Sequence, residues 1–582
     1  MAAHMAFKNL RHISLAALAV SLAACGSKVD NETTTHEDIT IYTAKHIITV
    51  DEDMPSAEAI AVNTDGKIVA AGDFKSLKSE LKGADINTRF AEKTIVPGLI
   101  DPHIHMVLGS MMYGLDFVPP WDMETPKGTV KGLPDKTSLM AKIAEFEKTA
   151  PEGPLILYGY HNLVQGDLTR QDLDTISETR PLFIWHYSGH DFYLNSAAIR
   201  TAKLTPALAE KFHGIRLDEN GELNGRIYED AGLALFQTVG PILMAPSHIE
   251  KGWNGYEKIF ARSGVTTVAE MGYGIFGRAL EDNYTKAYYT ADDNYRLYQV
   301  PEHRAFAKEF GKSAVAEIKA LSADDTRNPR VLPQVKLFTD AAFYSQTMKM
   351  DAPGYIGGQS KGTDGLWVTE PNSLAGTMRL YWDEGLDIHI HSNGDAAQDS
   401  TLKAFSEMKA GEDGQRLIIE HGGLFRPDQI EKAAKLGIGI SAASHYVKYM
   451  GEDYEKAIGE KTDFITPLAS AIRAGIRTTV HSDAPLAPPQ PLKAASVHMT
   501  RETRQGGVSN ADEKLTREQA LKAITLEAAW SLGLEEEIGS IEAGKRADFA
   551  ILESNPLTTP PEDWPDIDVW GVMLDGDIRP VQ

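Results

Sequence analysis

Two rhythms of apolar and polar positions run along this chain of 582 residues. From Ile39 the runs ITIYTAKHIITV, AEAIAV and KIVAAG are short and β-rich, the last two meeting across Asn63-Thr64-Asp65-Gly66, a turn in which glycine accepts positive φ. Near the other end GSIEAGKRADFAIL and VWGVMLDGDIRP repeat the pattern. Neither end has enough strands to complete a sheet, so the two are expected to pack together in one β-sandwich flanking the middle.

Between these ends, apolar strand runs alternate with stretches of helical period. The strand runs are 95–105 (IVPGLIDPHIH), 265–270 (VTTVAE), 295–300 (YRLYQV), 334–338 (QVKLF), 387–391 (DIHIH), 417–421 (LIIEH), 438–442 (IGISA) and 477–480 (RTTV). Helical stretches intervene, among them 427–436, with Pro and Asp in its first turn and Gly437 at its stop, and 467–474, stopped by Gly475. Strands alternating with helices specify parallel βα units in an α/β fold, and eight such units close a TIM-like (β/α)8 barrel.

One interval breaks this rhythm. Residues 106–263 far exceed a single helical connection and carry strand runs of their own, LILYGY and PLFIWH. So long a stretch is not structureless in a compact domain; it is expected as an insertion after barrel strand 1, at the C-terminal face where barrel active sites lie. The predicted organisation is a sandwich from 39–94 and 540–582, and a barrel from 95–539 with its insertion at 106–263.

Residues 1–25 stand apart. Lys8 and Arg11 precede an apolar run, 13–22, too short to span a bilayer as a helix, and Leu22-Ala23-Ala24-Cys25 follows. The stretch resembles a bacterial lipoprotein signal peptide, which implies a mature chain lipidated on Cys25, with Gly26 after it directing the protein to the outer membrane, facing the periplasm. The lipid would be its one contact with a membrane, and 26–38 reads as a polar tether. Cys25 is the sole cysteine, so no disulfide forms within the chain.

Composition narrows the partners. With 42% apolar and 24% charged residues the chain is ordinary globular material, and a formal charge of −24 excludes a nucleic-acid surface, which needs clustered Lys and Arg. The acidity otherwise reads as solubility.

The candidate chemistry sits at the ends of the strand runs. Alternate residues of a strand face the same way, so His103 and His105 project together, as two ligands of one metal must. Lys336 lies in VKLFTD, His391 in IHSNGDAA, His421 in IIEHGG and Asp483 in VHSDAP. All six are expected to face one barrel mouth, and a lysine inside a buried apolar strand is a strong signal in itself. His389 stands as an alternative to His391, and His481 to Asp483; His391 is chosen because it ends its strand. Asp340 and Asp395 read as helix caps or as groups that orient neighbours.

These motifs, with PGLIDPHIH, GVTTVAEMG and the tail LTREQALKAITLEAAWSLGLEEEIGSIEAGKRADFAIL, resemble the amidohydrolase superfamily, and within it the branch with a long insertion after the first strand, amidohydrolase family 3. The resemblance runs from about Ile39 to the end. It implies two divalent ions, zinc in first place, bridged by a CO2-derived carbamate on Lys336, with His103, His105 and Asp483 on one ion and His391 and His421 on the other. It also implies hydrolysis of an amide-type C–N bond by a metal-activated hydroxide, with Asp483 as general base and then general acid. His190, in WHYSGHDFYLN, matches the family's substrate-facing segment, with Trp185, His186 and Asn195; packing of the insertion's own core is the alternative for these residues.

Two other readings stand beside this one. Several mononuclear deaminases of the superfamily carry a glutamate three residues after the fifth-strand histidine, where this chain has Gly394, so a deaminase of a cyclic amidine-type substrate comes second. A non-catalytic envelope lipoprotein that binds a ligand comes third, and no ligand of the expected set is missing to favour it. HSNGDAA and a methionine-rich stretch after His105 depart from the usual pattern and bear on the substrate.

Overall fold

The computed structural model describes residues 37–408, 411 and 414–581; the expected signal peptide with Cys25, and 26–36 of the expected tether, lie outside them. The eight strands that carry the site are β1 (Leu99–Ile104), β2 (Val265–Tyr273), β3 (Arg296–Pro301), β4 (Gln334–Phe338), β5 (Asp387–Ser392), β6 (Leu417–His421), β7 (Gly439–Ala443) and β8 (Thr478–His481). β1, β2 and β3 run parallel in one sheet with the short strand Arg330–Val331, and β4 to β8 run parallel in a second. Isolated parallel bridges join Glu302 to Lys336 and Ile104 to Ala484, so the two sheets touch at both edges. This is an α/β fold of the TIM-barrel kind. Its strands are buried along nearly their whole length, as expected where helices cover one face and side chains fill the other; all nine residues of β2 are buried.

The helices follow their sequence signals. Pro427–Lys435 starts on Pro427, has Asp428 in its first turn, and buries Ile430 and Ala433. A fully buried isoleucine contributes about 1.5–3 kcal/mol.

Strands from both ends of the chain share one seven-stranded sheet, in the order Asp577–Pro580, Val569–Leu574, Phe549–Leu552, Asp85–Pro97, Ile39–Ile48, Ser56–Asn63 and Ile68–Gly72. The stretch 95–105 differs from its reading as one strand. Asp85–Pro97 belongs to this sheet, where Ile95 pairs with Ile551, and β1 begins only after Gly98. The chain crosses at Pro97-Gly98: Pro97 still pairs with Phe549 and the Gly98 N–H donates to the Asp548 carbonyl at 2.9 Å, while a Cβ on Gly98 would lie 2.0 Å from the Thr266 hydroxyl. The helix-and-sheet interval 106–263 contributes a six-stranded sheet, in the order Ile215–Leu217, Leu223–Tyr228, Asp191–Leu194, Leu182–His186, Leu155–Tyr160 and Asp116–Phe117. One face packs Leu157, Leu182 and Ile184 on Leu139 and Ile143 of the helix Lys136–Thr149. The other carries Phe183 and Trp185 into the apolar cluster that includes Ile104 and Val268 of the barrel. Among the described residues no helix is long and apolar enough to cross a membrane.

Candidate metal centre

His103 near the end of β1 and His105 just beyond it face the same way, their rings edge to face with centroids 5.3 Å apart. Lys336 from β4, His391 from β5, His421 from β6 and Asp483 after β8 join them around one cavity of about 80 Å³, which Phe338 and the turn 188–190 of the inserted segment help to close. The structure therefore brings all six expected residues together, and His190 with them.

The imidazoles are held from behind. His103 Nδ1 lies 2.6 Å from Glu420 Oε2, and His105 Nδ1 lies 3.2 Å from Glu270 Oε1. Each ring thus offers Nε2 towards Asp483 Oδ1, at 3.6 Å from His103 and 3.3 Å from His105. His391 turns Nε2 to the Ala341 carbonyl at 3.1 Å, which leaves Nδ1 for the cavity side. His421 Nδ1 is 3.7 Å from Asp483 Oδ2 and 3.1 Å from His481 Nε2. The carboxylates behind His103 and His105 fix the tautomers of those rings and raise their basicity. Two sets of donor atoms lie within 4.8 Å of one another, His103–His105–Asp483 and His103–His421–His481.

Burial governs the charges. It pushes the pKa of His103 and His421 well down and that of His391 to about 3, so these rings are neutral, the form that binds a metal. Burial opposes charge on His105 too, but its hydrogen bonds to Asp483 and Glu270 win and raise it to about 9. Burial works against the Asp483 carboxylate, yet the bond from His105 and the neighbouring histidines hold it well below the usual range. Lys336 is pushed down to about 8, by burial first. Its Nζ finds no hydrogen-bonding partner among the described residues and lies 5.4 Å from the centre of the Phe338 ring. An orphaned amine beside neutral imidazoles is costly as it stands; a carboxylate built on Nζ would turn the orphan into an oxygen ligand. The donor set fits divalent metal ions.

The backbone is strained at the same place. His421 and Asp483 have φ of 72° and 53°, in the left-handed region that non-glycine residues rarely use; each such residue costs about 1–3 kcal/mol and persists only where its surroundings enforce it. Behind His391, the Asp340 carboxylate accepts N–H groups from Asn393, Gly394 and Lys349 at 2.8–2.9 Å, tying the segment after β4 to the start of the helix Asp395–Ser406. Gly394 is so close to that segment that a Cβ would sit 1.7 Å from the Lys349 carbonyl oxygen.

The alternatives separate by depth. His389 bonds to Glu420 Oε1 at 2.6 Å and to the Ser531 carbonyl at 3.1 Å, away from the cavity lining, whereas His391 is part of it. His481 bonds through Nδ1 to Ser441 at 2.7 Å. In the inserted segment His190 reaches the cavity, its Nδ1 held 3.0 Å from Glu229, and Trp185 lines an adjoining one. His186 is buried against Ser188, and Asn195 caps the helix Ser196–Thr201 while bonding the carbonyls of Ser177 and Arg180, so these two serve the segment's own structure. Glu420 and Glu270 were not singled out as functional in the sequence. Each lies near the end of a strand run, in LIIEH and VTTVAE, but strand alternation does not single it out.

Comparison with known proteins places this geometry. The amidohydrolase family pattern matches residues 91–580. The chain is 24% identical over 567 residues to the N-substituted formamide deformylase of Arthrobacter pascens, covering 93% of this chain and 98% of that protein. It is 23% identical over 554 residues to the putative amidohydrolase YtcJ of Bacillus subtilis, covering 92% and 98%. The crystal structure of an uncharacterized metal-dependent hydrolase from Pyrococcus horikoshii superposes with a TM-score of 0.65 at 19% identity, covering 90% of this chain and 99% of that one.

Proposed function

The chain belongs to the amidohydrolase family and is a metal-dependent hydrolase of carbon–nitrogen bonds; from that premise we propose that it hydrolyses a small-molecule amide to a carboxylate and an amine. The observation that carries this reading is the buried, unpartnered Lys336 Nζ among His103, His105, His391, His421 and Asp483. Those six residues, with Lys336 as a carbamate, would hold two divalent ions, zinc in first place, which would acidify a water and polarise the substrate carbonyl.

The chain's own groups do the rest. Asp483, in reach of His105 and His421, takes the proton of the attacking water and returns it to the leaving nitrogen. Glu420 and Glu270 keep the imidazoles of the β1 pair aimed at the cavity. His190, anchored by Glu229, lies at the cavity rim and orients the substrate. We read the two parallel sheets as one closed (β/α)8 barrel over 99–539, with 106–263 inserted over its mouth and the sheet shared by 39–97 and 549–580 at its flank; the bridges Glu302–Lys336 and Ile104–Ala484 support the closure.

Chelator-stripped protein is expected to lose hydrolysis of simple amides and to regain it with zinc, with two ions per chain by elemental analysis. Release of ammonia from ring amidines, with no amide turned over, would put the deaminase in its place. The site is further proposed to work in the bacterial envelope, anchored through lipidated Cys25 and facing the periplasm, on the strength of Lys8, Arg11, the apolar run and Leu22-Ala23-Ala24-Cys25. Mass spectrometry of protein extracted from membranes should give a chain beginning at modified Cys25; a soluble species with that thiol unmodified rules the anchor out.

A further inference from the structure

A second cavity, of about 250 Å³, opens beside the metal centre, and the two share His105, Leu108, Gly189, His190 and Phe338 in their walls. Its remaining apolar lining is Trp185, Phe236, Ile275 and Phe276. Phe236 and Phe276 face one another with ring centroids 6.0 Å apart, and Trp185 stacks on Phe192 behind the wall at 4.8 Å. Ile275, at 43% exposure, is the half-open side of this wall.

The carboxylates of this cavity are already engaged. Glu281 accepts the N–H groups of Gly274 and Phe276, both at 2.7 Å, and Glu270 accepts that of Met106 at 2.6 Å besides holding His105. Arg304 lies over the Phe338 ring at 4.4 Å, its Nε on Glu302 at 2.7 Å. What these walls present to a ligand is aromatic and aliphatic surface. At 250 Å³ the cavity falls short of the roughly 300–1,000 Å³ of sites that enclose whole drug-sized molecules, so it suits one substituent. The space among the metal ligands is only about 80 Å³, which leaves room for little beyond the scissile group.

We propose that this second cavity is the specificity pocket, and that the substrate is an asymmetric amide, compact on one side of the scissile bond and carrying an uncharged, bulky apolar substituent on the other. The proposal rests on the hydrolase reading and deepens it. Walls of Trp185, Phe236, Ile275, Phe276 and Phe338 reward each added methylene, and the carboxylates of Glu270 and Glu281 beside them are already taken up by backbone N–H groups. His190, at the junction of the two cavities, holds the amide between them.

The test runs two mirrored series on the metal-loaded enzyme, N-alkylformamides from methyl to hexyl and unbranched primary amides from acetamide to octanamide. In one series kcat/KM should climb about fourfold per methylene until the pocket is full. Phe236→Ala should collapse the hexyl-to-methyl ratio, and so should Ile275→Asn, whose half-exposed position spares the fold. A flat or falling dependence in both series overturns the pocket while leaving the hydrolase reading intact. If neither series is turned over, the hydrolase reading fails, and calorimetric titration with N-hexylformamide and N-methylformamide still decides the pocket. Tighter binding of the hexyl compound, lost in Phe236→Ala, upholds it; equal binding of the two overturns it.

Discussion

Lys336→Ala is expected to abolish hydrolysis, by about a thousandfold or more given the several kcal/mol that metal ions supply to such transition states, and to lose much of its metal without unfolding. The fold should survive because Nζ makes no hydrogen bond among the described residues, so its removal strands no partner. Burial, which brings the Lys336 pKa down to about 8, leaves a usable fraction of neutral amine near neutral pH, the form that captures CO2. In the alanine variant, formate or acetate at high concentration should restore part of both metal and rate by taking the bridging position. Elemental analysis after reconstitution with and without bicarbonate reads the wild type directly. Full activity with one ion, or with an unmodified amine at 336, defeats the two-metal reading and restores the mononuclear one.

Asp483→Asn should fail differently. Asparagine has the same size and tolerates left-handed backbone, so the φ of 53° at this position survives the change. The metal is expected to stay largely bound through the histidines. Loss of the proton shuttle, however, should cost about a hundredfold or more in kcat. The deficit should depend on the leaving group, large for alkyl amides whose amine must be protonated, and small for anilides or aryl esters that leave readily as they are. An equal loss across leaving groups would place the proton transfer elsewhere.

The six residues of the centre were legible because strand periodicity and strand ends are. His103 and His105 share a face at spacing two, and Lys336 is conspicuous inside QVKLF. Glu420 was hidden by the same rule that revealed the others. Neighbours on a strand point to opposite faces, so a sequence that sends His421 inwards sends Glu420 away. The positive φ of His421 breaks that alternation, and both side chains reach the site. Nothing in a non-glycine residue announces such a backbone. The strand Asp85–Pro97 was seen only from Ile95 onward, since its first half, DINTRF, is mostly polar and is exposed but for Phe90 and the partly covered Asn87. In contrast, 334–338 and 417–421 were readable to the residue, each a short apolar run.

The close fit of Gly394 against the Lys349 carbonyl also limits where this protein can evolve. A glutamate at this position, the group with which several deaminase relatives protonate a ring nitrogen, would need its Cβ where a main-chain oxygen already lies. No side-chain rotamer relieves that overlap; the route of the chain after β4 would have to change, and with it the Asp340 clasp on Asn393 and Gly394. A change of reaction by that substitution thus needs the backbone around Lys349 to move with it. A change of substrate is a matter of single residues on the walls of the neighbouring cavity. Lineages descending from such a chain should therefore radiate among amides long before any of them learns to deaminate.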